Sequence, residues 1–243
     1  MKGRFFGGRF TAGIGSLLSV LLASWLVGCS TVPATAPVPA AMAPEYWWSA
    51  HFYLPWTGDR EPDWYLDAML AGEVVAPALK PRFGTIPLWR FHRRAGSDAS
   101  GHNFSLLFRS TPAVAAQVFA AMQARPALAA LQGRGRVLRV AFDDPARPPV
   151  TAAIEATSDP AWPLELQRGW PYYIMGVSRT WLDLIEQSVA RQQRPPDEAV
   201  YRQAQDEVSR LWETWGRHAF LHHLNAVFAY QPFLVAPDTR VRF

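Results

Sequence analysis

The chain has 243 residues, 49% of them hydrophobic, with a single cysteine and a formal net charge of +4. One cysteine excludes an intramolecular disulfide and a thiolate zinc cluster. Three of the 24 basic side chains, Lys2, Arg4 and Arg9, crowd the N-terminus, and the rest nearly balance the 20 acidic ones. No general nucleic-acid footprint remains.

After those cations, an uncharged apolar run from Ile14 through Val27 leads to Gly28 and Cys29. The run is shorter than the ~20 residues a spanning helix needs and stops at small residues, the layout of an export signal. Leu26-Val27-Gly28-Cys29 resembles the lipobox of bacterial lipoproteins. That resemblance implies cleavage after residue 28, lipid attachment at Cys29 and membrane anchoring through the lipid. In enterobacteria-like lipoproteins an Asp after the cysteine retains the protein at the inner membrane. Ser30 stands there instead, so the expected place is the outer membrane, facing the periplasm. Residues 29–45 carry Pro33, Pro37, Pro39 and Pro44 and read as an extended tether, reaching roughly 45 Å at about 3.1 Å per residue.

From Tyr46 the pattern alternates, with Trp48, Ala50, Phe52 and Leu54 on one face and Trp47, Ser49, His51 and Tyr53 on the other, which predicts a strand. Glu61-Pro62-Asp63 opens a helix through Trp64, Met69, Leu70, Val74 and Leu79, bent near Pro77. Leu88 to Arg94 and Asn103 to Arg109 predict a hairpin about the Gly96–Gly101 loop. Thr111 and Pro112 start a helix through Val114, Val118, Phe119 and Met122 that ends before Gly133, and Val137 to Phe142 is a last strand. The order over residues 46–145 is the split β-α-β signature of a ferredoxin-like α+β fold with an antiparallel sheet. Leu138, Val140 and Phe142 are expected on its covered face with Trp48, Phe52, Trp89, Phe91, Phe104, Leu106 and Phe108. Residues 146–243 read as a Pro-rich linker and a C-terminal helical hairpin. One helix starts at Pro171 and runs through Trp181 and Ile185 to about Gln192; the other runs from Asp197 to about Tyr230.

The uncovered sheet face then carries His51, Arg90, His92, Ser105, Arg109 and Arg139. Arginine forks and titratable imidazoles suit a small anionic ligand; alternatively the face is solvated, or the hairpin covers it with its own carboxylates. His218 and His222 are one helical turn apart, as a metal pair could be. No carboxylate intervenes, and both share a face with Trp215 and Ala219, so they read as core or interface. Most of the tryptophans read as packing. Gly133 and Gly135 precede a strand and read as a turn. There is no phosphate loop, nucleophile elbow or acidic metal cluster, so no cofactor, metal or catalytic residue is expected.

Trp48 to Pro55 and the stretch Trp89 to Phe108 also resemble the start of the thiopeptide-type domain at the C-terminus of lantibiotic dehydratases. In that family an H-x-R-x-R-F segment serves elimination. His102 matches its start and Phe108, one residue past its end, the final aromatic, but Phe104 and Leu106 stand at the two arginine positions. An exported protein also meets no aminoacyl-tRNA. The resemblance therefore implies a strand order and no chemistry. The leading expectation is a membrane-anchored envelope lipoprotein whose domain binds a partner or small ligand without catalysis. An envelope hydrolase or transferase using the His/Arg cluster, and a structural assembly protein docking through the hairpin, are the alternatives.

Overall fold

A computed structural model describes residues 43–96, 101–236 and 239–241. The signal segment, Cys29 and nearly all of the tether lie outside the described residues, as does the tip of the first hairpin. Four strands form the main sheet: β1 (Tyr46–Leu54), β2 (Leu88–Ala95), β3 (His102–Ser110) and β4 (Arg139–Phe142), in the order β2-β3-β1-β4. All three pairings are antiparallel. β1 and β2 are thus parallel with β3 between them, the ferredoxin-like arrangement that the strand order predicts.

Alternation decides which side of each strand is dry. Trp48, Ala50, Phe52 and Leu54 of β1 are buried, as are Phe104, Leu106 and Phe108 of β3 and Trp89 and Phe91 of β2. Above them lie α1 (Tyr65–Leu70), a π-turn (Ala71–Val75) and α2 (Ala76–Leu79), followed by α3 (Pro112–Gln123) and α4 (Pro126–Gly133). Each buried large apolar side chain contributes about 1.5–3 kcal/mol. One helix was expected over residues 112–133, but the axis bends by 55° between α3 and α4. Arg125 is extended, because the ring of Pro126 disfavours the helical region for the residue before it.

Leu138 is a correction: it is 64% exposed, whereas Val137 is buried. Gly135 (φ +67) ends α4, with Gly135 N–H on Gln132 O and Arg136 N–H on Leu131 O. This Schellman turn, which favours glycine at that φ, feeds Val137 into the core and leaves Leu138 outside.

The hairpin is α5 (Leu164–Arg191) and α6 (Glu198–Gly216), continued by a π-turn (Arg217–His222) and α7 (His223–Val227). α5 begins upstream of Pro171, so Pro171 lies inside it. Proline cannot donate to the carbonyl four residues back. That carbonyl, Gln167 O, accepts the Ser158 hydroxyl at 2.6 Å instead. Asp197 caps α6 by accepting from Val200 N at 2.8 Å. A short pair, β5 (Phe233–Ala236) with β6 (Thr239–Val241), follows α7; no sequence signal had suggested it.

α5 seals the edge of β2. Ser178 Oγ accepts the Phe91 N–H at 3.0 Å and donates to Ile174 O at 2.8 Å, closing a strand edge that would otherwise offer free donors. Rings continue the seam, with Phe91 edge-on to Trp181 at 5.5 Å. α6 packs on α1, with Tyr65 donating to Glu198 at 3.0 Å, and Tyr201 donates to Glu73 of the π-turn at 2.8 Å.

Candidate functional site

The uncovered face of the sheet is laid out by register. His92, Ser105, His51 and Ala141 form one row across the four strands; Arg94, Asn103, Tyr53 and Arg139 form the next. His51, His92, Ser105 and Arg139 therefore share one half of the face. Arg90 and Arg109 fall in the other half, which residues 144–160 cross. Arg90 donates to Thr157 O at 3.1 Å, Arg109 to Ala152 O at 3.3 Å, and Trp47 to Ile154 O at 3.1 Å. Arg109 also pairs with Glu45 at 3.1 Å. Cover by the helical hairpin with its carboxylates was one of the expected alternatives. Instead the irregular segment covers this half with backbone carbonyls, because α5 and α6 are drawn to the exposed edge of β2 and to α1.

On the open half, His51 Nδ1 lies 2.7 Å from Ser105 Oγ, which donates to Asn103 Oδ1 at 2.5 Å. With its one hydrogen committed to Asn103, the hydroxyl accepts from His51. This is the reverse of a serine activated by a histidine base. Arg139 stacks on Tyr53, 3.7 Å from the ring centre. His92 releases its proton more readily than an ordinary histidine, first through partial desolvation and then through Arg90, Arg94 and His51 nearby.

The dry side holds a charged group that the sequence reading passed over. Asp67 of α1 is fully buried; Arg93 Nε donates to its Oδ2 at 2.8 Å, and His102 Nε2 lies 2.9 Å from its Oδ1. The histidine contact is within ion-pair range but off hydrogen-bond alignment, and His102 Nδ1 has no hydrogen-bond partner among the described residues. The guanidinium of Arg93 lies over Trp64 at 5.1 Å and Trp181 at 4.6 Å, and reaches Trp64 O and Gln205 Oε1. The signal was present in the alternation: the parity that buries Phe91 and Phe104 also turns Arg93 and His102 inward.

Next to Arg93 opens a cleft of about 1030 Å³ between α5 and α6 and the π-turn after α6. Phe91 and Arg93 lie at its sheet end; Tyr173, Val177, Trp181 and Leu184 of α5 face Val208, Leu211, Trp212 and Trp215 of α6, with Phe220 and Leu224 beyond. Trp212 is 55% and Trp215 59% exposed, so these two are a surface and not core packing as expected. Gly216 lets Trp212 lie flat, since a Cβ there would meet its ring at 2.9 Å. None of His51, His92, Ser105, Arg109 or Arg139 lines the cleft.

His218 and His223 are also exposed, with His222 half-buried, so of the two expected placements for His218 and His222, core or interface, the core is excluded. Among the described residues no single helix is long and apolar enough to cross a membrane.

No family model and no curated protein matches the chain. Among solved structures it is similar to one titled "Crystal structure of TsrL", at 14% identity and a TM-score of 0.34. That alignment covers 76% of this chain and 57% of the other; a likeness at this level carries no argument.

Proposed function

We propose that this chain is a cell-envelope lipoprotein, anchored through a lipid on Cys29, whose α+β domain binds a small apolar ligand in the cleft between α5 and α6 without catalysing its conversion. The observation that carries the ligand is the cleft itself. Its volume of about 1030 Å³ matches the upper range of small-molecule sites, which are largely apolar with a few polar groups that fix orientation. Arg93, Gln205 and Ser209 supply those groups here. Exposed tryptophans around such an opening are a feature that soluble surfaces otherwise limit.

A titration of intrinsic tryptophan fluorescence with fatty acids and the corresponding alcohols tests the reading. Saturable quenching is expected, weakened at least tenfold in Trp212→Ala. Quenching that does not saturate, or is unchanged in that variant, would refute it. A protein partner docking on the same hairpin is the second reading, favoured by the exposure of Val227 and Phe228 beyond the cleft.

The anchor rests on the lipobox, and Ser30 supports the outer membrane with the domain in the periplasm. Cys29→Ala is expected to abolish incorporation of a clickable fatty acid, and density-gradient fractionation to place the wild type with outer-membrane markers. Label that survives the substitution, or recovery only with the inner membrane, would contradict these assignments.

A further inference from the structure

The far end of the hairpin carries an apolar apex that the cleft does not use. Val227 is 81% and Phe228 65% exposed, and neither lines the cleft. Tyr230, two residues on, is exposed as well. The chain reverses abruptly here: Tyr230 N–H returns to Asn225 O at 2.9 Å, and Ala229 and Tyr230 both take a φ of 55°. Two successive non-glycine residues in the left-handed region are costly, and backbone strain of this kind clusters at functional sites.

Charge around the apex has one sign. Between Glu213 and Asp238 the sequence holds no acidic residue. Arg217, which has a further interaction of its own, lines a concavity on the flank with His218 and His222. The ring of His218 meets those of His222 and His223 at 5.4 and 5.3 Å. The exposed apolar side runs from Trp212 and Trp215 through Phe220 and Leu224 to Phe228. A helical end with Trp, Phe and Leu on one side and basic or neutral polar groups on the other has the composition of an interfacial membrane element. Tryptophan and tyrosine favour the depth of the lipid headgroups.

We infer that the end of the hairpin, from Trp212 to Tyr230, seats against the surface of a lipid bilayer, with Val227 and Phe228 entering the boundary between headgroups and acyl chains. Such elements sink about 5–10 Å. Anionic lipid strengthens the contact, because the apex offers a cation and no carboxylate. The inference rests on the proposed lipid anchor, which brings the domain to a membrane, and adds a second contact to it. Phe220 and Leu224 belong both to the cleft lining and to this exposed side. Seating therefore brings the cleft mouth to the acyl boundary, where an apolar ligand passes between bilayer and cleft without crossing water.

The test uses full-length lipidated chains in vesicles of phosphatidylcholine with a minority of phosphatidylglycerol. Val227→Cys supplies a free thiol for an environment-sensitive nitrobenzoxadiazole label, and Val150→Cys, at a fully exposed position, is the control. The anchor holds every chain at the vesicle, so the label reports the seating of the apex alone. Blue-shifted emission is expected at position 227, with quenching by brominated acyl chains at least twofold stronger than at position 150. Adding Phe228→Asp should bring the two positions level while leaving the circular-dichroism melt unchanged. Equal quenching at both positions in the unaltered apex would overturn the inference, as would quenching indifferent to phosphatidylglycerol. So would a blue shift that brominated lipid leaves unquenched, which would mark a second copy or a protein partner on this surface. Mass spectrometry separates the two readings: absence of lipid on Cys29 refutes the anchor and this inference with it, whereas a lipidated chain with a water-exposed label refutes the inference alone.

Discussion

The sheet face and the helical hairpin satisfy their groups by different means. Half of the arginine-lined sheet face is closed by the carbonyls of Ala152, Ile154 and Thr157. The hairpin packs on the edge of β2 but leaves an apolar cleft of about 1030 Å³ between its own helices. The difference lies in what each can satisfy locally. An arginine on a strand reaches any nearby carbonyl, so an irregular segment is enough to hold it. An aromatic on a helix finds relief only in another apolar surface, and the hairpin provides too little of it to bury Trp212 and Trp215.

The largest expected effect lies behind Arg93, at the sheet end of the cleft. Asp67→Ala leaves Arg93 and the buried His102 around a missing carboxylate, and removing one partner of a buried pair costs about 3–5 kcal/mol. Because Arg93 retains some solvent access, the lower end is expected, read as a fall in the denaturation midpoint. A variant with wild-type stability would show that the cluster does not support the cleft wall.

Gly72→Ala probes how the hairpin is held against the first helical layer. A Cβ at Gly72 would run into the hydroxyl of Tyr201, and overpacking of this kind costs about 1–3 kcal/mol. Thermal melts should show the loss, and Tyr201→Phe in the same chain should recover part of it by removing the atom in contact. No recovery would place the strain elsewhere in the π-turn.

Ser158→Ala addresses the segment that crosses the sheet face. It orphans Gln167 O, the carbonyl that Pro171 cannot serve, at an expected cost of about 1 kcal/mol. Hydrogen exchange over residues 164–172 should quicken while the sheet is unaffected; equal exchange in both proteins would mean that the hydroxyl is not needed there.

Much of this was legible from alternation alone. Residues 46–54 and 88–110 fix the strands, their partners and the dry side, and the same parity already held Arg93 and His102 inside. Other features depended on contacts distant in sequence. Pro171 reads as a helix start because nothing nearby reveals that Ser158 will satisfy Gln167. The turn at Pro126 was available from the proline's effect on Arg125 but was masked by the apolar run on both sides. π-Turns leave no periodicity of their own, so the meeting of His218 with both His222 and His223 could not be read from an α-helical wheel. Trp212 and Trp215 carry a core-like spacing, and only the absence of a third apolar layer among the described residues leaves them at the surface.

The smallest expected effect belongs to the half of the sheet face that stays open. His92 holds its proton less tightly folded than unfolded, since desolvation and the charges of Arg90, Arg94 and His51 oppose the imidazolium. A histidine ordinarily titrates near 6.5. Below that value the unfolded chain binds a proton that the folded chain still refuses, so the sign is fixed: stability is unaffected above the ordinary value and declines as pH falls through it. Much of the ring faces water, so the decline is small. His92→Gln should remove it, giving a flatter stability profile between neutral and mildly acidic pH. Proton NMR should meanwhile place the His92 midpoint in the wild type below that of an unperturbed histidine. If the profile is the same in both proteins and the midpoint ordinary, the open half of the face exerts no net positive field. Its arginines are then neutralised as fully as those under the covering segment.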